Sequence, residues 1–131
     1  MYLLIAGASE TAQALIADAF LAEHSDWRHL PLEDIWDPAA DTEEAKGALV
    51  FSLLIACQTL RDTMEEGAEH VLITCPTPAM LPTLEEKFPD MITRVQIGSD
   101  EEWNVTSFHH VLNTPNGSVR DICTALTALI A

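Results

Sequence analysis

Positive charge is scarce in this sequence. Only 6 of its 131 residues are Lys or Arg, against 21 Asp or Glu, which gives a formal net charge of −15. Such a surface repels phosphate backbones and anionic membranes, so nucleic acid and membrane are excluded as partners. A polyphosphate ligand needs local cations that the chain can barely supply. Long apolar runs are missing too. The longest mainly apolar stretch, Ala48 to Cys57, is about half a membrane span, so no transmembrane helix is expected. Met1-Tyr2-Leu3-Leu4-Ile5-Ala6-Gly7 has no basic region ahead of its apolar run, so a secretory signal is not expected either. Cysteine is limited to Cys57, Cys75 and Cys123, an odd number, widely spaced. That pattern points to reduced thiols in a cytoplasmic setting rather than a disulfide framework.

What is present is a well-punctuated alternation of apolar segments. Hydrophobic residues make up 48% of the chain, enough for a real core. The apolar runs Tyr2–Ala6 and Val71–Thr74, together with the weakly patterned Trp27–Leu32 and the mixed segments Thr93–Ile97 and Phe108–Leu112, read as strands. Between them lie helical patterns: Ala12 to Ala22, a long stretch from the capping box Asp41-Thr42-Glu43-Glu44 to Glu66, and Ala79 to Lys87. A last helix follows Asn116-Gly117-Ser118, with Ser118 as its cap, and Gly67 sits where a helix C-cap belongs. Strands that alternate with helices and are apolar on both faces imply a parallel sheet covered on both sides. The expectation is an α/β fold: a three-layer α/β/α sandwich with a five-stranded, mostly parallel, doubly wound sheet. Without repeat, linker or low-complexity segment, residues 1–131 are expected to form one domain.

In such sheets ligands sit at the carboxyl ends of the strands. The first turn here is Gly7-Ala8-Ser9-Glu10-Thr11-Ala12-Gln13-Ala14. Its placement resembles the Walker A loop of P-loop kinases, with Gly7 as the first glycine. On that register Ala12 stands at the second glycine, Gln13 at the lysine and Ala14 at the hydroxyl residue. The lysine neutralises phosphates and the hydroxyl holds magnesium. Gln13 has no charge, Ala14 has no metal-binding atom, and Glu10 adds a carboxylate.

Two further segments are similar to the nucleoside monophosphate kinase branch of that family. The strand and turn Val71-Leu72-Ile73-Thr74-Cys75-Pro76-Thr77-Pro78 follow a long helix, as there, but carry Ile73 and Thr77 where adenylate-kinase-like members have aspartate and arginine. Asn113-Thr114-Pro115-Asn116-Gly117-Ser118 is similar to the closing Asn-x-Gly-Ser turn. The lid position, Gly98 to Ser107, is acidic and has no Arg or Lys. The resemblance implies a P-loop NTPase-like fold. Its eroded motifs imply a pseudokinase without kinase or NTPase activity, with no cofactor and no metal site.

Other residues compete for attention. Gly7-Ala8-Ser9 also opens a dinucleotide-binding turn, with Glu33 or Asp34 as the acidic ribose partner, although further glycines are wanting. Thr74 and Cys75 end a central strand, and His109 could approach across the sheet to support thiol chemistry. A packed, inert thiol is the plainer reading of Cys75, and core packing that of Cys57 and Cys123. His109 and His110 alternate on a predicted strand and cannot grip one metal together, whereas a composite with His70 or Cys75 could. Paired carboxylates such as Glu65-Glu66, Glu85-Glu86 and Asp100-Glu101-Glu102 read as solvated charge. Trp27, Trp36 and Trp103 either line a cleft or are buried under loops. The long helix carries Leu49, Val50, Phe51, Leu53, Leu54 and Ile55, more apolar surface than one sheet contact buries. It is either covered all round or forms a homodimer seam.

The functional expectation is a non-catalytic P-loop-like domain that binds an unknown protein partner or itself. Its candidate ligand turn is Gly7, Ala8, Ser9, Glu10, Thr11, Ala12 and Gln13, with Thr74, Cys75, His109 and Asn113 as further sheet-edge candidates. The alternatives are an enzyme of unrelated chemistry at Cys75 and His109, or a weak dinucleotide binder.

Overall fold

Five short strands, the three central ones buried along nearly their whole length, assemble into one parallel sheet. The computed structural model describes residues 1–36, 46–98, 100–104, 107–112 and 118–130. The strands are β1 (Tyr2–Ala6), β2 (Arg28–Pro31), β3 (Val71–Thr74), β4 (Ile92–Ile97) and β5 (His110–Leu112). Their spatial order is β2-β3-β1-β4-β5, and every pairing is parallel. The helices are α1 (Glu10–Glu23), α2 (Lys46–Glu65), α3 (Leu81–Lys87) and α4 (Val119–Ile130).

Alternation along β1 divides the core in two. Leu3 and Ile5 face α1 and α4, in a cluster with Ile16, Phe20, Leu72, Val95, Ile122 and Leu126. Tyr2, Leu4 and Ala6 face the other way, toward Ala56, Leu60, Ile73, Leu81, Leu84 and Trp103. Two cores on opposite faces of one sheet make the three-layer sandwich. Chain direction makes it doubly wound, because successive crossovers from β1 and from β3 leave on opposite faces.

Local chemistry sets the boundaries. Ser9 is extended and its hydroxyl accepts from the Ala12 amide, so α1 begins at Glu10 rather than at Ala12. Gly67, at φ +85°, ends α2 with the paired bonds Gly67 N to Met64 O and Ala68 N to Thr63 O. Ser118 caps α4 through the Asp121 amide, as its sequence position predicts. The second strand is shorter than Trp27–Leu32. Trp27 is held between Phe20 and His70 before the strand begins, and Leu32 opens a 3-10 turn, Leu32–Asp34, with its side chain fully buried. The expected start of the long helix at Asp41–Glu44 lies outside the described residues, as does the Asn113–Gly117 turn.

Candidate functional site

The carboxyl ends of β1 and β3 lie side by side, and the chain leaves them toward opposite faces. That divergence is where an open α/β sheet forms its ligand crevice. In this molecule Gln13 spans the crevice. Its side chain, 2% exposed, reaches from the first turn of α1 to the backbone beyond β3. Nε2 donates to Cys75 O at 2.9 Å and to Ala8 O at 3.0 Å, and Oε1 accepts from Cys75 N at 3.0 Å. Both amide protons are engaged, so Gln13 has no donor left for a ligand.

The rest of the turn is equally tied. Gly7 has φ +93°, and a Cβ there would lie 2.7 Å from Ile97 O on β4. Glycine is required by backbone approach alone. Ser9 serves as the N-cap; Ala8 is half-buried, and Thr11 is exposed.

A second polar group stands next to this turn. Thr74, fully buried at the end of β3, places its hydroxyl 2.9 and 2.8 Å from the two Glu33 carboxylate oxygens and 3.0 Å from His29 Nε2. A hydroxyl has one proton, which goes to the carboxylate, so His29 Nε2 is the donor in the third contact. Glu33 and His29 are half-buried and reach toward solvent. Thr74 and Glu33 are both residues the sequence singles out. His29 is not, and its only signal is a polar side chain four residues ahead of Glu33 on an edge strand.

The remaining candidates do not converge on this edge. The Cys75 thiol is buried, donates to Thr77 O at 3.2 Å, and is pushed up to about 12 by burial. It is an inert, packed thiol rather than a nucleophile. His109 precedes β5 instead of lying on it. Its Nδ1 accepts from Arg94 N at 2.9 Å, and its own amide donates to Arg94 O at 3.0 Å. Arg94 is level with Leu4, which is level with Ile73, so three strand spacings, ~14 Å, separate His109 from the β3 edge. Cys75 and His109 therefore share no site. Asn113 lies outside the described residues. Cys57 and Cys123 are free and buried, as expected of core thiols. Trp27 and Trp103 are buried as well, while Trp36 is half-buried. Among the described residues no group of three or more His, Cys, Asp or Glu could hold a metal ion, and no helix is long and apolar enough to cross a membrane.

Three of the six Lys and Arg residues are engaged away from the turn. Arg28 pairs with Glu66 at 2.8 Å, Arg61 lies over the Phe88 ring, and Arg94 is buried on β4. Arg94 donates to Ser107 O at 2.9 Å and meets Glu85 at 3.5 Å, tying β4 to the acidic segment that follows it. The sequence places Arg94 inside the fourth strand without indicating that it is buried or what it pairs with.

Comparison with known structures places the sheet. A gluconokinase from Sinorhizobium meliloti 1021 superposes over 98% of this chain and 92% of its own length, with a TM-score of 0.55 and 14% sequence identity. The fold is that of a P-loop kinase. At that identity the likeness concerns the fold alone. No family model matches the sequence, and no curated protein matches it.

Proposed function

We propose that this chain is a P-loop-kinase-fold domain that does not transfer phosphoryl groups and acts as a binding and interaction module. The observation that carries this reading is Gln13. It stands where the Walker A lysine belongs, and its amide laces β1–α1 to the backbone of Cys75 instead of facing a ligand. Phosphoryl transfer in this fold depends on a cation at the β and γ phosphates and a hydroxyl on magnesium. Gln13 supplies no charge and Ala14 no oxygen. Gln13 could turn a donor toward a phosphate only by giving up a bond to Ala8 O or Cys75 O. The turn does not fit a magnesium–nucleotide complex.

Calorimetric titration with ATP and GTP in the presence of magnesium, followed by a product assay, tests the reading. The expected result is no saturable heat and no diphosphate. Micromolar binding with turnover overturns it.

A second reading is favoured by the His29–Thr74–Glu33 cluster. The Glu33 carboxylate keeps acceptor capacity at the open edge of β2 and β3, suited to the hydroxyl donors of a small ligand such as a ribose. Titration with NAD(H), read through the fluorescence of the tryptophans and repeated with Glu33→Gln, decides it. Saturable quenching lost in the variant supports this site; unchanged fluorescence dismisses it.

A further inference from the structure

Helix α2 has two apolar sides, and the fold uses one. Ala56, Cys57, Leu60 and Thr63 are buried against the sheet and α3. On the opposite side Val50, Phe51, Leu54 and Ile55 are 57, 64, 64 and 37% exposed. No Asp, Glu, Lys or Arg interrupts the helix from residue 48 to residue 60. We infer that this face is the seam of a symmetric homodimer, in which α2 packs antiparallel on α2 of a second copy. The inference deepens the interaction-module reading and rests on it.

Three observations select a second copy as the occupant. The first is symmetry. A two-fold axis midway between residues 52 and 53 brings Phe51 opposite Leu54 and Val50 opposite Ile55, so each large apolar side chain meets another. An isologous interface requires that self-complementarity, and the spacing of these four positions supplies it. The second is area. With about 150–250 Å² per large side chain, the four lay bare roughly 400 Å² per copy. A stable dimer buries ~800 Å² per partner, of which about 65% is apolar in homodimers. The stripe therefore furnishes most of the apolar centre that such an interface needs. The third is charge. Each copy carries −15, so two copies can approach closely only through a face that holds no carboxylate, and the described part of this stripe holds none.

The same charge makes the inference distinguishable from capture of a basic partner. Repulsion between like copies is screened by salt, so self-association tightens as ionic strength rises, whereas attraction of a cationic partner weakens.

Sedimentation equilibrium of the full chain, from micromolar to about 100 µM and at low and high salt, tests it. The expected mass at high salt is twice the 14.4 kDa of one chain. Phe51→Lys and Leu54→Glu place charges on exposed positions, where folding is unaffected, and each weakens the dimer at least ~30-fold. Mixing the two variants restores a dimer, because Lys at 51 then faces Glu at 54 while Leu54 faces Phe51. Far-UV circular dichroism confirms that both variants are folded. A chain that stays at single-chain mass at high salt overturns the inference. So does a dimer that either variant leaves intact, or a mixture that stays monomeric. Nucleotide turnover by a dimer would defeat the proposed loss of phosphoryl transfer and leave this seam standing. A monomer without turnover would do the reverse.

Discussion

The side-chain amide of Gln13 pairs with the backbone of Cys75 through two hydrogen bonds, 2.9 Å outward and 3.0 Å inward, in the manner of one more rung of the sheet. A residue on the first turn of a helix thereby completes the hydrogen bonding of a strand end that would otherwise face an open crevice. The same amide also donates to Ala8 O. Gln13→Ala removes all three bonds and leaves buried backbone groups unpaired. The expected cost is about 2–4 kcal/mol, or roughly 5–15 °C in Tm for a chain of this size. Urea denaturation with circular dichroism measures it. A loss under about 0.5 kcal/mol would show that the crevice is solvated and the rung dispensable.

Gly7 should be intolerant of any side chain for reasons of backbone alone. Its φ of +93° disfavours L residues, and a Cβ would press to 2.7 Å on Ile97 O, a backbone atom of β4 that cannot swing aside. Gly7→Ala is expected to destabilise by about 2–4 kcal/mol. Gly67 has a similar φ of +85° with nothing within 4 Å of its Cβ position, so Gly67→Ala carries only the conformational penalty, about 1 kcal/mol. Equal losses at the two positions would remove the close approach as an explanation.

Much of the fold was legible because it rests on local rules. Apolar runs as unbroken as Leu3-Leu4-Ile5 and Val71-Leu72-Ile73 have few places to go except the middle of a covered sheet. Gly67 and Ser118 punctuate helices by chemistry confined to one turn. The site was harder to read because it depends on pairs far apart in sequence. Gln13 was recognisable as an uncharged polar residue in the turn after the first strand. That it would fold inward onto Cys75, 62 positions away, follows only from the adjacency of β1 and β3. The His29–Thr74 contact is of the same kind. The alternative meeting of Cys75 with His109 fails for the same reason in reverse: the residues at strand ends are legible, but not that two strands stand between them.

The bridge at Thr74 gives a third expectation. Thr74→Val keeps shape and removes the hydroxyl that Glu33 and His29 share, leaving a half-buried carboxylate without its donor and an imidazole without its acceptor. A cost of about 1–3 kcal/mol is expected, while Thr74→Ser, which retains the hydroxyl, should cost less than about 1 kcal/mol. Parallel urea melts separate the two. If serine is as damaging as valine, the methyl group's packing matters rather than the bridge.

Cys75 ties burial to pH. Desolvation raises its thiol from 9.0 to about 12, and the nearby Glu33 charge pushes the same way. Between those values the unfolded chain has lost the proton that the folded chain still holds. The unfolded state then binds fewer protons, so stability is full below about pH 9 and falls by ~1.4 kcal/mol per pH unit as pH rises toward 12. Tyr2, Cys57 and Cys123 are also raised by burial and add in the same direction. Urea unfolding at a series of pH values from about 8 to 10.5 should show this decline, and Cys75→Ala should make it shallower while the contributions of Tyr2, Cys57 and Cys123 remain. Near neutral pH the folded chain should leave Cys75 unlabelled by a thiol reagent that modifies it fully in denaturant. Rapid labelling of Cys75 in the folded chain would mean that its thiolate is accessible, and the inert-thiol assignment would fail together with the predicted alkaline slope.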